Sequence, residues 1–254
     1  MIPVLHTRGD AILNTRILAA GAIAAACCCA APAVAGIFSV TPVRIFMAPR
    51  DRATAITVTN EGDDELVMQA DIYTWSQKPD GTDDLKLSDD LILSPPIIKI
   101  AGKSRQVVRL AMVSPPASGQ QLTYRMILRE IPEAHPADKK VQLQIALAFS
   151  LPVFITPPAA KRDLTCTIAR SAADSISARC ENHGGAYAQP RDLALLGPDG
   201  AKIAGLESAA YILPGLTRTY PIKASSGTIP SGAAKLAVNF DDGTSQAFDV
   251  TVGD

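Results

Sequence analysis

The chain has 254 residues, 47% of them hydrophobic, and 24 Lys and Arg against 25 Asp and Glu leave a net charge of −1. That hydrophobic fraction is ample for a core and excludes a disordered chain. The balanced charge, with no basic stripe interleaved with aromatics, excludes a nucleic-acid-binding surface.

Residues 1–35 read as an export signal. Arg8 and Arg16 are followed by an apolar, alanine-rich run from Ile17 to Ala31, and Ala33-Val34-Ala35 is a small-x-small cleavage site. Cleavage there starts the mature chain at Gly36. The alternative is a retained membrane anchor, against which Pro32 and the cleavage site argue. Cys27, Cys28 and Cys29 lie in this segment without the preceding leucine of a lipidation site, and are read as filler.

After Gly36 helical patterns are almost absent, and short apolar runs recur between turn signals, as in an all-β chain. Phe38-Ser39-Val40 alternates and leads into Thr41-Pro42-Val43-Arg44-Ile45. Ala53 to Thr59 and Leu66 to Trp75 are strands, separated by the turn Asn60-Glu61-Gly62-Asp63-Asp64. Lys78-Pro79-Asp80-Gly81 is a further turn. Val107 to Leu110 precedes Ser114-Pro115-Pro116, and Leu122 to Ile131 is a strand ending at Pro132.

The most informative stretch is Val141 to Val153. Val141, Leu143, Ile145, Leu147, Phe149, Leu151 and Val153 fall on every second position, which is the period of a strand with one continuous apolar face. The row is longer than an ordinary strand needs. Pro152 inside it points to a sheet edge, and a long unprotected apolar edge recruits other chains. From spacing alone the ordinary reading, a strand fully paired in its own sandwich, is the stronger one.

Pro157-Pro158-Ala159-Ala160 reads as a stiff linker. Beyond it come strands at Leu164 to Ala169, Ser175 to Cys180, Leu193 to Leu196, Lys202 to Leu206, Arg218 to Ile222, Lys235 to Phe240 and Ala247 to Val252. About seven short strands in each half fit two immunoglobulin-like sandwiches, over residues 36–157 and 158–254. Cys166 and Cys180 remain after cleavage and flank a hairpin. In an exported chain they suggest one disulfide, the alternative being two buried thiols.

Catalytic patterns are missing. His6, His135 and His183 are scattered, without metal-ligand spacing, and no nucleophile elbow or phosphate loop occurs. Asp63-Asp64 and Asp89-Asp90 read as solvated turn residues. No enzyme activity, cofactor or metal is expected.

Leu128-Arg129-Glu130-Ile131-Pro132, Gln144-Ile145-Ala146-Leu147, Pro95-Pro96-Ile97-Ile98 with Gln106 to Leu110, and Phe38 to Arg44 together resemble the periplasmic chaperones of the chaperone–usher pilus pathway, the PapD-like family. The match is best over residues 36–157. In the second half it rests on Val238-Asn239-Phe240-Asp241-Asp242-Gly243. The Pro-Val-Phe-Ile-Thr-Pro ending and the cysteine pair look like the archaic branch.

The resemblance implies two immunoglobulin-like domains in a boomerang, a periplasmic location, and pilus subunits and an outer-membrane usher as partners. It implies a strand lent to the subunit, with Leu143, Ile145, Leu147 and Phe149 at the centre and Val141 and Leu151 at the rim. Self-association of the free chaperone would hide such an edge. It further implies a basic anchor for the subunit's terminal carboxylate. Arg44 holds the first position. The second, a lysine in the family, falls on Pro152, which leaves Arg109 and Arg125 as candidates. Gln121 and Thr156 stand at two charged positions of the family's interdomain ion-pair group and Asp241 at the third, so the interdomain angle would rest on packing. The alternatives are a secreted pilus subunit or adhesin-like module, for which Gly36 to Val43 is too short a donor extension, and a secreted hydrolase, for which no convergent motif exists.

Overall fold

The computed structural model describes residues 38–78, 80–114, 119–132, 146–207 and 210–253. The export segment and Val141–Ile145 lie outside the described residues. The strands are β1 (Phe38–Thr41), β2 (Ile45–Met47), β3 (Ala53–Asn60), β4 (Leu66–Gln77), β5 (Asp83–Leu87), β6 (Leu91–Ser94), β7 (Ile97–Ile100), β8 (Arg105–Met112), β9 (Leu122–Glu130) and β10 (Ala148–Ile155) in the first half. The second half has β11 (Leu164–Ala172), β12 (Ser175–Asn182), β13 (Pro190–Leu196), β14 (Lys202–Glu207), β15 (Thr217–Ala224), β16 (Gly232–Phe240) and β17 (Ser245–Val252). The described chain is all-β and forms two sandwiches.

The first sandwich has a four-stranded sheet in the order β1-β3-β8-β6. Facing it is a six-stranded sheet in the order β2-β10-β9-β4-β5, with β7 also on β4. Alternation puts Val40, Ile56, Val58, Val108 and Leu110 inward from one sheet, and Met68, Ile72, Met126, Leu128 and Val153 inward from the other. The chain changes sheets across Pro42–Arg44. β1 pairs antiparallel with β3, whereas β2 pairs parallel with the end of β10, Ile45 opposite Val153.

The second sandwich is one seven-stranded path, β11-β12-β15-β14-β13-β16-β17. It folds over so that its end strands meet, with the Gln246 amide donating to the Leu164 carbonyl at 3.1 Å. Ile176, Leu193, Leu195, Ile222, Leu236 and Val238 fill its core. Each of the seven strands read from the sequence between Leu164 and Val252 is present.

Each sandwich contains a buried asparagine that ties down a loop. Asn60 donates to the carbonyls of Asp64 at 2.7 Å and Ile100 at 3.1 Å, and accepts from Gly62 N–H at 3.0 Å. Asn182 donates to Ala186 at 2.8 Å and Ile212 at 3.2 Å, and accepts from Gly184 N–H at 3.1 Å. At Gly184 a Cβ would lie 2.3 Å from the Lys161 carbonyl, so the connection between the sandwiches passes where only glycine leaves room.

Three elements were not read from the sequence. β5 is a polar edge with two apolar residues. β6 and β7 are interrupted by Ser94-Pro95-Pro96, so neither shows a long enough alternation. Cys166 and Cys180 lie directly opposite each other in β11–β12, with Cα atoms 4.1 Å apart, and are disulfide-bonded. Replacing both by Ala should destabilise the second sandwich by roughly 3 kcal/mol, the chain-entropy value for a loop of this size. Denaturant unfolding of the variant against the native chain measures it.

Candidate functional site: an open strand edge and a two-arginine junction

β10 is anchored at one end only. It pairs with β9 along its whole length, Ala148 opposite Arg129 through Ile155 opposite Leu122. β2 covers its other side only at Val153–Ile155. Over Ala148–Pro152 that side has no strand partner among the described residues, so Pro152 stands at a sheet edge.

The apolar row divides along this strand. Leu151, Val153 and Ile155 are buried in the first core. Leu151 is only 5% exposed, so it belongs to its own sandwich and is withdrawn from the rim expected for a lent strand. Phe149 is 37% exposed, and its ring sits 4.6 Å from that of Phe38. Leu147 is partly buried against the core edge. Its carbonyl accepts from Glu130 N–H at 2.9 Å, and its N–H donates to the Glu130 carboxylate at 3.3 Å. Val141, Leu143 and Ile145 lie outside the described residues.

The opposite face of β10 meets the second sandwich, within one compact unit from Phe38 onward. Phe154 is fully buried there with Trp75 and Leu213. Its ring stacks on Tyr187 with centroids 4.2 Å apart, and Tyr211 and Phe46 stand 5.8 and 5.7 Å away. This aromatic cluster was not read from the sequence. The signal was available in Val153-Phe154-Ile155, which is apolar on both faces.

Two buried glutamines complete the junction. The Gln77 amide donates to the Tyr211 carbonyl at 3.0 Å and accepts from Leu213 N–H at 3.3 Å. Gln121 donates to the Thr156 hydroxyl at 2.7 Å and accepts from Tyr187 N–H at 2.9 Å. Gln121 and Thr156 thus bond to each other without charge.

Asp241 pairs with Arg44, whose guanidinium also donates to Tyr187 Oη at 3.2 Å and to Gln189 Oε1 at 2.8 Å. Arg44 precedes β2 at the sheet change, which aims it at the second sandwich. Arg125, on β9, lies directly across from Pro152, so it shares that residue's face. Its guanidinium stacks 3.7 Å above the Trp75 ring, and Asp83 is 3.5 Å away. Burial lowers its pKa, only partly opposed by Asp83. The guanidinium carbons of Arg44 and Arg125 stand 5.6 and 5.9 Å from the Tyr211 ring. The fold therefore brings these two cations to one ring. It does not bring Arg109 there: Arg109 is exposed on β8 of the other sheet, opposite Ala55 and Ser94.

A cleft of about 820 Å³ opens beside the junction, lined by Phe46, Gln121, Lys161, Arg162 and Asp241 among others. Arg162 binds Asp242 at 2.8 Å and holds its carboxyl down at about 2. Among the described residues, no group of three or more His, Cys, Asp or Glu is placed to hold a metal ion.

Burial and the Asp241 charge push the Tyr187 phenol up to about 12, with Arg44 working the other way. A raised phenol pKa means that the fold favours the neutral form. That contribution is complete below the ordinary value near 10 and is lost as pH rises through about 12. The tyrosinate absorbance difference between the native chain and Tyr187→Phe should therefore titrate near 12 rather than 10.

Residues 37–161 match the model of the pili and flagellar-assembly chaperone family, PapD N-terminal domain. No curated relative matches the chain. Among solved structures, the chain is similar to one in the CsuC–CsuE chaperone–tip adhesion subunit pre-assembly complex from archaic chaperone–usher Csu pili of Acinetobacter baumannii. That similarity has 20% identity over 86% of this chain and 100% of that one, with a TM-score of 0.62. It is also similar to the E. coli chaperone DraB, at 20% identity over 86% and 97% of the two chains and a TM-score of 0.55. A chain in the Salmonella enterica SafA pilin–SafB chaperone complex aligns at 13% identity over 87% and 98%, with a TM-score of 0.56. At these identities the structures establish the shared fold, and the family model establishes the lineage: through residues 37–161 the chain belongs to the PapD-like pili and flagellar-assembly chaperones.

Proposed function

We propose that this protein is a non-enzymatic periplasmic chaperone. In this reading it binds pilus subunits by lending them the strand that leads into β10 and delivers them to an outer-membrane usher. Residues 1–35 direct export and are removed. Residues 36–157 form the subunit-binding domain and residues 158–254 its companion. The observation that carries the reading is the edge of β10. It is anchored at Val153–Ile155, without a partner on one side over Ala148–Pro152, and continuous in sequence with the alternating row upstream.

Such an edge suits strand addition, in which main-chain hydrogen bonds supply affinity and alternate side chains fill pockets. Val141, Leu143, Ile145, Leu147 and Phe149 are the residues lent. Each inserted side chain contributes about 1.5–3 kcal/mol, and ordering of both chains offsets part of the sum. No nucleotide is required, because release proceeds by exchange of one strand for another. When no subunit is present, pairing between two copies would cover the same edge. The subunit's terminal carboxylate lies at the junction where Arg44 and Arg125 approach Tyr211.

Co-expression with the cognate pilin in a bacterial periplasm tests the reading. The Ile145→Asp/Leu147→Ser double variant should lose at least nine-tenths of the co-purifying subunit, roughly a tenfold or greater fall in affinity. Its own thermal unfolding should stay close to native. Unchanged recovery of subunit with this variant would overturn the lent-strand assignment.

A further inference from the structure

Backbone groups alternate between the two sides of a strand, and hydrogen bonds at both ends of β10 fix which residues face which way. Glu130 N–H donates to the Leu147 carbonyl at 2.9 Å, so Leu147, Phe149 and Leu151 turn their N–H and carbonyl groups to β9. Thr156 N–H donates to the Met47 carbonyl at 2.9 Å, so Thr156 and every second residue upstream of it, Phe154, Pro152, Ser150 and Ala148, face the other side. β2 covers that side only from Val153 onward, and the rest of it is open to a guest strand.

Ala148, Ser150 and Pro152 front this open stretch. Ala148 and Ser150 each offer an N–H and a carbonyl. Pro152 has no N–H, and the parallel register that sets Val153 opposite Ile45 turns its carbonyl toward the N–H of Ile45. Backbone pairing with a guest therefore runs out after Ser150. The side chains divide at the same place: Phe149 is 37% exposed, whereas Leu151 is 5% exposed and packed in its own core. One boundary is set by hydrogen-bonding groups and the other by packing, so each supports the other independently.

We propose that Pro152 is a register stop, which ends the pairing of the subunit's strand at Ser150 and so makes Phe149 the last side chain lent. This role rests on the proposed chaperone function and adds to it the residue that sets the alignment. A slip of one residue would turn every side chain to the wrong face, but a slip of two keeps the faces and needs a separate safeguard. Pro152 supplies it. A guest strand moved two residues toward the junction would bring a carbonyl against the proline ring, where no donor answers it.

The test places the photo-crosslinker p-benzoylphenylalanine at Ser150, which is exposed, and co-expresses the chaperone with its cognate pilin. Mass spectrometry then locates the adduct on the subunit. With the native residue at 152 the adduct should fall on one subunit residue and its direct neighbours. Pro152→Ala restores an N–H to the edge and should spread the adducts to residues two positions further along. Pro221→Ala, a strand proline of the second sandwich opposite Ser177, should behave as native. A single unchanged adduct in Pro152→Ala overturns the stop, as does an adduct already spread in the native chain.

Amide exchange reads the same boundary without altering Pro152, in case that variant folds poorly. Subunit binding should slow exchange of the Ser150 amide at least tenfold, as a new backbone hydrogen bond requires. Subunit captured with Ser150 exchanging as in the free protein overturns the stop and leaves the proposed function standing. No capture by the native protein removes both.

Discussion

The structure turns on how the last residues of β10 are held. Val153 and Ile155 point into the first core, and Phe154 between them points the other way, into the junction with the second sandwich. A strand buried on both faces, with β9 on one side and β2 on the other, cannot shift without opening a core and a domain contact together. This fixed end allows the preceding residues to sit at an edge, paired on one side only, without the strand fraying from its sheet. A long apolar edge is normally a hazard. Here its position is set by burial elsewhere.

The junction has a related economy of charge. Interior polar contacts are satisfied mainly by neutral amides: Gln77 caps the Tyr211–Leu213 backbone, and Gln121 links Thr156 to Tyr187. Neutral amides avoid the desolvation penalty that buried ion pairs carry, and an aromatic cluster around Phe154 supplies the packing. One strong ion pair, Arg44 with Asp241, crosses between the sandwiches. Gln121 and Thr156 carry no charge there, and Asp241 pairs with Arg44.

Legibility followed burial pattern. The seven strands of the second half were readable because each is a short apolar run closed by Gly, Pro or Asp turns. β5, β6 and β7 escaped because polar edge residues and paired prolines mask a period of two. The row through Phe149 was visible as a row, but alternation cannot tell which core a side chain fills. Leu151 looks the same as Leu147 in sequence, and only the sandwich geometry places it inside.

The residue types and spacings alone determined the all-β pattern of two sandwiches, a cross-strand cysteine pair and the alternation of Phe149, Leu151 and Val153, because these depend on local periodicity and turn chemistry. Only the tertiary structure decided where that strand stops being covered, that Arg44 and Arg125 converge on Tyr211 while Arg109 stands on the far sheet, and that the junction is built on aromatics and glutamines. Those facts depend on which residues distant in sequence are brought to the same face, and no local pattern encodes that.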